Sequence, residues 1–246
     1  AATPMYHAAR RDLAISTILT AAAVAAFLLA PRGAQFELLL LAIVPIATLV
    51  RAGDAATALA RTPLLVACAA FGLYITINAA WSVNHAEAYG KVLFYWVLLV
   101  TAHLAITGIG VVGDEILARL QKTIVLAVMA GAMFLAVEVL TDQAIRRFLF
   151  SLLPFMRPPS KHTTIVDGEV AAIGPYILNR NMAALCLVLW PVLLMLRTLL
   201  DARRALIAGI ALAAVSLIAV LRSGHETSVL ALLFSVAAFA GMMLAA

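Results

Sequence analysis

Eight apolar windows succeed one another along the chain, each of 15 to 19 residues: about 13–30, 36–50, 63–80, 91–109, 123–140, 181–199, 205–221 and 228–245. A helix crosses the hydrocarbon of a bilayer in about 20 residues and satisfies all its backbone polar groups internally, which open strands cannot do there. This succession predicts an all-α fold: a polytopic transmembrane helical bundle of about eight spans, forming one transmembrane domain over residues 1–246. The second window is short, so its helix stands nearly upright or is extended by Ala52 to Leu59. Pro45 and Pro191 lie inside windows and are tolerated in a membrane helix. Composition agrees with the pattern. Hydrophobic residues make up 65% of the chain and charged residues 12%. A soluble domain of this size has no core large enough to hide that apolar surface.

The net charge of +5 belongs to short basic clusters between the apolar runs, a membrane-flanking pattern and not a nucleic-acid-binding face. Cys68 and Cys186 both fall inside apolar runs and read as small buried hydrophobes. No CxxC or HExxH spacing occurs, so neither a metal nor another cofactor is expected. Residues 13–30, preceded by Arg10 and Arg11, imitate a secretory leader, but the similar spans that follow favour a retained first helix. The chain begins without Met and stops inside an apolar run, which reads as a fragment of a longer protein.

Orientation follows from Lys and Arg in the short links. With the N-terminus in the cytoplasm, the inner segments carry nine: Arg10, Arg11, Arg51, Arg61, Arg119, Lys122, Arg197, Arg203 and Arg204. The short outer links carry three, Arg32, Lys91 and Arg222. The remaining five, Arg146, Arg147, Arg157, Lys161 and Arg180, sit in residues 141–180, which this orientation places outside.

That segment of about 40 residues is far longer than the other links, and long ordered connections usually have a task. Ile145, Phe148, Leu149, Leu152 and Leu153 fall on one face at helical spacing, with Arg146 and Arg147 off that face. An interfacial amphipathic helix is expected there, capped by Thr141 or Asp142 and ended by Pro154, Pro158 and Pro159. The remainder is polar and returns to the bilayer at Asn181.

Several residues invite a chemical reading, and each has a plainer one. The cations of 141–180 suit a lipid-linked pyrophosphate, because Arg forks onto phosphate oxygens while the lipid tail stays in the bilayer. They equally suit ordinary anionic headgroups. Arg180, between Asn179 and Asn181 at the start of the sixth span, would reinforce a helix N-terminus that favours phosphate. The plain alternative is an Asn cap with a snorkelling Arg. Between spans seven and eight, Arg222, His225 and Glu226 share a turn of about six residues. They form either a phosphate and proton-handling site or a solvated turn with an Arg222–Glu226 ion pair. Asn78, His103 and Glu138 lie within spans, where ionisable groups are functional candidates; Asn78 and Glu138 are near enough to the interface to be wetted, and His103 can bond a neighbouring helix.

Three stretches together resemble the O-antigen ligase and O-antigen polymerase superfamily of bacterial membrane glycosyltransferases. "NAAWSVNHAEAYGKVLFYWVLLV" is similar to an outer hairpin of that family in which a Trp-Ser pair precedes a polar link. "YILNRNMAALCLVLWPVLLML" resembles its Asn-centred start of a membrane helix. "LRSGHETSVLALL" resembles its hairpin of "TGSRTALLAL" type, with Ser223, Gly224, Thr227 and Leu232 at matching positions. The likeness covers most of 60–235 in layout. It departs at His225-Glu226, where the family commonly has Arg after the Ser, so the cationic role there falls to Arg222. Family members also generally have more spans and a large later outer loop bearing important Arg and His residues, which implies that this chain alone is not a complete catalyst.

The resemblance implies location in the bacterial inner membrane. It also implies transfer of an undecaprenyl-pyrophosphate-linked glycan to lipid A-core or a similar acceptor at the periplasmic face. Arg180, Arg222 and His225 are then the expected catalytic residues. Arg146, Arg147, Arg157, Lys161, Asn181 and Glu226 are the expected substrate contacts. A polymerase of O-antigen or exopolysaccharide is the alternative within the superfamily. A secondary transporter or lipid flippase is the alternative of another class; transporters favour inverted repeats and broken midplane helices, whereas the polar weight here lies at one surface.

Overall fold

A computed structural model describes residues 4–29, 34–51, 63–157 and 162–245. Every one of the eight apolar windows falls in a helix. In chain order these are α1 (Pro4–Leu29), α2 (Ala34–Arg51), α3 (Pro63–Asn78), α4 (His85–Ile109) and α5 (Asp114–Leu140). A short helix α6 (Ala144–Leu152) and an antiparallel hairpin of β1 (Thr163–Val166) and β2 (Glu169–Ile173) follow, and then α7 (Asn179–Leu199), α8 (Ala202–Arg222) and α9 (Glu226–Ala245). Five helical stretches among the described residues are long and apolar enough to cross a membrane: Pro63–Trp81, His85–Ile109, Asp114–Leu140, Tyr176–Leu199 and Ala202–Arg222. The other three windows give shorter apolar stretches, Ala14–Leu29, Leu39–Val50 and Glu226–Ala237. The chain is a helical membrane protein with one small β-hairpin, which the expectation of an all-helical fold had not included.

Two compact units divide the chain, one of residues 1–23 and 33–120, the other of 24–32 and 121–246. In the first, small residues let helices approach closely, as packing without a hydrophobic drive demands. A Cβ on Gly108 of α4 would stand 2.3 Å from the carbonyl oxygen of Pro45, so only glycine permits this α2–α4 contact. Gly72 of α3 lies under the Trp96 ring. That ring's Nε1 donates to Thr76 Oγ1 at 3.1 Å, and Tyr95 OH donates to the Cys68 carbonyl at 2.7 Å.

The second unit holds the larger core. Leu28 from the end of α1, Val128 and Leu135 from α5, Met182 and Leu185 from α7 and Ala219 from α8 are fully buried together. Two residues, Leu200 and Asp201, join α7 to α8, and the Asp201 carboxylate caps α8 by accepting from Arg204 N at 2.9 Å. Both helices have 21 residues and pack against each other as an antiparallel pair. Their far termini, Arg180 and Arg222, therefore sit at one end of the unit. Gly224 follows α8 with a φ of +69°, the left-handed residue that ends a helix, and α9 starts at Glu226.

Candidate functional site

The polar end of the second unit is built around a turn that reverses α5 into α6. Asp142 and Gln143 take φ of 52° and 59°, a left-handed conformation that non-glycine residues adopt only when neighbours hold them there. Gln143 N donates to the Glu138 carbonyl at 2.6 Å, and its side-chain Nε2 donates to the Ile173 carbonyl at 3.2 Å. The N-terminus of α6 is capped neither by Thr141 nor by Asp142, as sequence spacing suggests, but by Glu138, whose Oε1 accepts from Ile145 N at 3.1 Å. Arg146 Nε lies 3.2 Å from Glu138 Oε2, a charge contact without the alignment of a hydrogen bond. Glu138 is wholly buried and the Arg146 side chain is 12% exposed. Glu138 is thus not wetted, and Arg146 already has its counter-ion. Burial pulls the Arg146 pKa below its ordinary value and the Glu138 carboxylate opposes that shift.

The hairpin explains the next two arginines. Asp167 and Gly168, with φ of 52° and 84°, form the two-residue turn favoured between twisted strands. Pairing runs Thr164 with Ala172 and then Ile165 with Val170, so Ala171 bulges out of the ladder. Its free carbonyl accepts from Arg147 Nη1 at 2.9 Å. Arg157 gathers three more carbonyls, those of Phe150 at 2.6 Å, Ser151 at 3.3 Å and Gly168 at 3.0 Å. Ser151 Oγ accepts from Val170 N at 3.0 Å. Arg146, Arg147 and Arg157 are thus already engaged within the protein. Lys161 lies outside the described residues.

Asn181 and Arg180 are neighbours with opposite surroundings. Asn181 is 2% exposed, and its Nδ2 donates to the carbonyls of Leu28 and Leu29 at 2.5 and 3.0 Å. It caps the C-terminus of α1, where carbonyls lack helical partners, instead of capping its own helix. Arg180 is exposed, with no ion pair or hydrogen bond among the described residues.

Arg222 is likewise exposed at the end of α8, and no Arg222–Glu226 pair forms among the described residues. His225 is half-buried; its Nδ1 contacts Ser228 Oγ at 2.6 Å, and its backbone N donates to Ser223 Oγ at 3.3 Å. Glu226 opens α9 and is exposed. Two guanidinium groups, an imidazole and a carboxylate thus occupy one end of the α7–α8–α9 unit. Such a set can bind an anion and move a proton. Of the remaining intramembrane candidates, Asn78 is exposed and His103 half-buried.

Sequence reasoning passed over the hairpin and the Glu138 cap. The hairpin had a signal, Asp-Gly between the β-branched run Thr163–Val166 and Val170. The cap had none, because it depends on the left-handed turn. Compared with known proteins, the chain matches no family model, no curated protein and no solved structure.

Proposed function

We propose that this chain forms part of a bacterial inner-membrane glycosyltransferase of the O-antigen ligase type, carrying a glycan from undecaprenyl pyrophosphate to lipid A-core or a similar acceptor. In this reading all eight apolar helices span the membrane, the N-terminus is cytoplasmic, residues 141–180 are periplasmic and α6 lies along the outer interface. The observation that carries the proposal is the state of Arg180 and Arg222: exposed, at the same end of the α7–α8 pair, and without internal partners among the described residues. The likeness of the two stretches that contain them to the ligase superfamily supplies the reaction.

The acceptor hydroxyl oxygen bonds to the anomeric carbon. The bond from that carbon to the pyrophosphate oxygen breaks, and lipid pyrophosphate leaves with the electron pair. Arg180 and Arg222 stabilise the charge that grows on the leaving group. In this reading His225 takes the acceptor's proton. With Nδ1–H donating to Ser228, Nε2 keeps its lone pair. Glu226 stands beside it to orient the acceptor.

The test is glycan transfer by full-length protein carrying Arg180→Ala or Arg222→Ala, with expression and membrane insertion followed in parallel. Loss of transfer with normal insertion is expected. Arg180→Lys recovers part of it, since a point charge cannot fork onto two oxygens. Full transfer by Arg180→Ala removes the basis of the proposal.

A further inference from the structure

Helix α6 carries two rows of side chains with opposite fates. Gln143, Arg147 and Ser151, spaced four apart, point at the hairpin. They engage Ile173, Ala171 and Val170 in turn, and Arg157 closes the far end on Gly168. The polar row is spent on protein. The other row, Ile145, Phe148, Leu149, Leu152 and, beyond the helix, Phe155, is open to the outside; Phe148 is 64% and Phe155 84% exposed. A soluble domain would turn such a helix the other way round. This one directly follows α5, which is long and apolar enough to cross a membrane, so its open apolar row continues a lipid-facing surface. Helices that lie on membranes usually add Lys and Arg on the polar face to attract anionic lipid. Here those arginines are occupied. Over residues 138–173, Glu138, Asp142, Asp167 and Glu169 balance Arg146, Arg147, Arg157 and Lys161, leaving no net charge.

We infer that α6 and its hairpin attach to the lipid surface as an uncharged wedge, held by the apolar row and indifferent to headgroup charge. The inference rests on the interfacial placement of α6 proposed above and adds what the surface recognises: the apolar boundary of the bilayer and not its anions. Arg146, Arg147 and Arg157 therefore do not serve as a lipid anchor.

The test uses the full chain with Cys68→Ala, Cys186→Ala and Phe148→Cys, labelled with an environment-sensitive fluorophore. The protein is reconstituted in vesicles of phosphatidylcholine alone or mixed with phosphatidylglycerol, with a quencher on the acyl chains. Equal quenching in both vesicles, unchanged by high salt, is expected, because screening acts only on charge. Quenching that grows with phosphatidylglycerol or falls with salt overturns the inference and leaves the interfacial placement standing. No quenching by lipid overturns both, whether the label is then open to water or shielded by another protein surface. Leu152→Cys repeats the measurement if Phe148→Cys does not fold.

Discussion

Arg180 and Asn181 are adjacent in sequence, yet one faces outward without an internal partner among the described residues and the other is sealed against the end of α1. The same division separates Arg222 from Arg146, Arg147 and Arg157. The inward members sit wherever the backbone leaves carbonyls or a carboxylate unpaired: a left-handed turn, a bulge, a helix terminus. A guanidinium with five donors is the side chain best able to serve such irregular backbone. The outward members sit at the start of α7 and the end of α8 and make no such contact among the described residues. A cluster of arginines in a sequence thus mixes two populations, and unmet backbone demand sorts them.

Breaking the inward set has the larger effect on the fold. Glu138→Ala leaves Arg146 buried without a counter-charge and costs about 3–5 kcal/mol, enough to lower the thermal midpoint of solubilised protein sharply. Replacing both residues with apolar ones recovers most of that loss. Asn181→Ala strands two carbonyls of α1 in a buried site and costs about 1–3 kcal/mol, read by the same unfolding measurement. Arg157→Ala releases two carbonyls at the end of α6 and one in the hairpin turn and costs about 1–2 kcal/mol; its mark is faster proteolysis near the Asp167–Gly168 turn. Arg180→Ala and Arg222→Ala change stability by less than about 0.5 kcal/mol, whereas the proposed function has them abolish transfer. A large destabilisation by either would erase the distinction between the two sets.

Much of this architecture is legible in the sequence. Apolar length alone placed a helix at each window, because a bilayer leaves the backbone few other choices. The amphipathic repeat from Ile145 to Leu152 and the stop at Pro154 located α6. The partners of its arginines were not legible. Arg146 meets Glu138 only because Asp142 and Gln143 turn left-handed, a conformation Asp takes more readily than most residues but Gln does not. Asn181 reads as a local cap, whereas its acceptors lie more than 150 residues earlier, a distance no spacing rule spans. In the sequence Arg180 and Arg222 stand out as charges at helix ends, and no local signal separates them from Arg157.

The amide of Asn181 also sets a clock on assembly. The carbonyls at the end of α1 emerge during synthesis well before their donor, which follows 152 or 153 residues later. At translation rates of about 5–20 residues per second, that interval is roughly eight to thirty seconds. During it those carbonyls lack the donor that later caps them. The unit that joins residues 24–32 to 121–246 cannot close until the start of α7 arrives. The end of α1 therefore waits for the start of α7, and any factor that shields a half-made membrane protein has that whole interval in which to act.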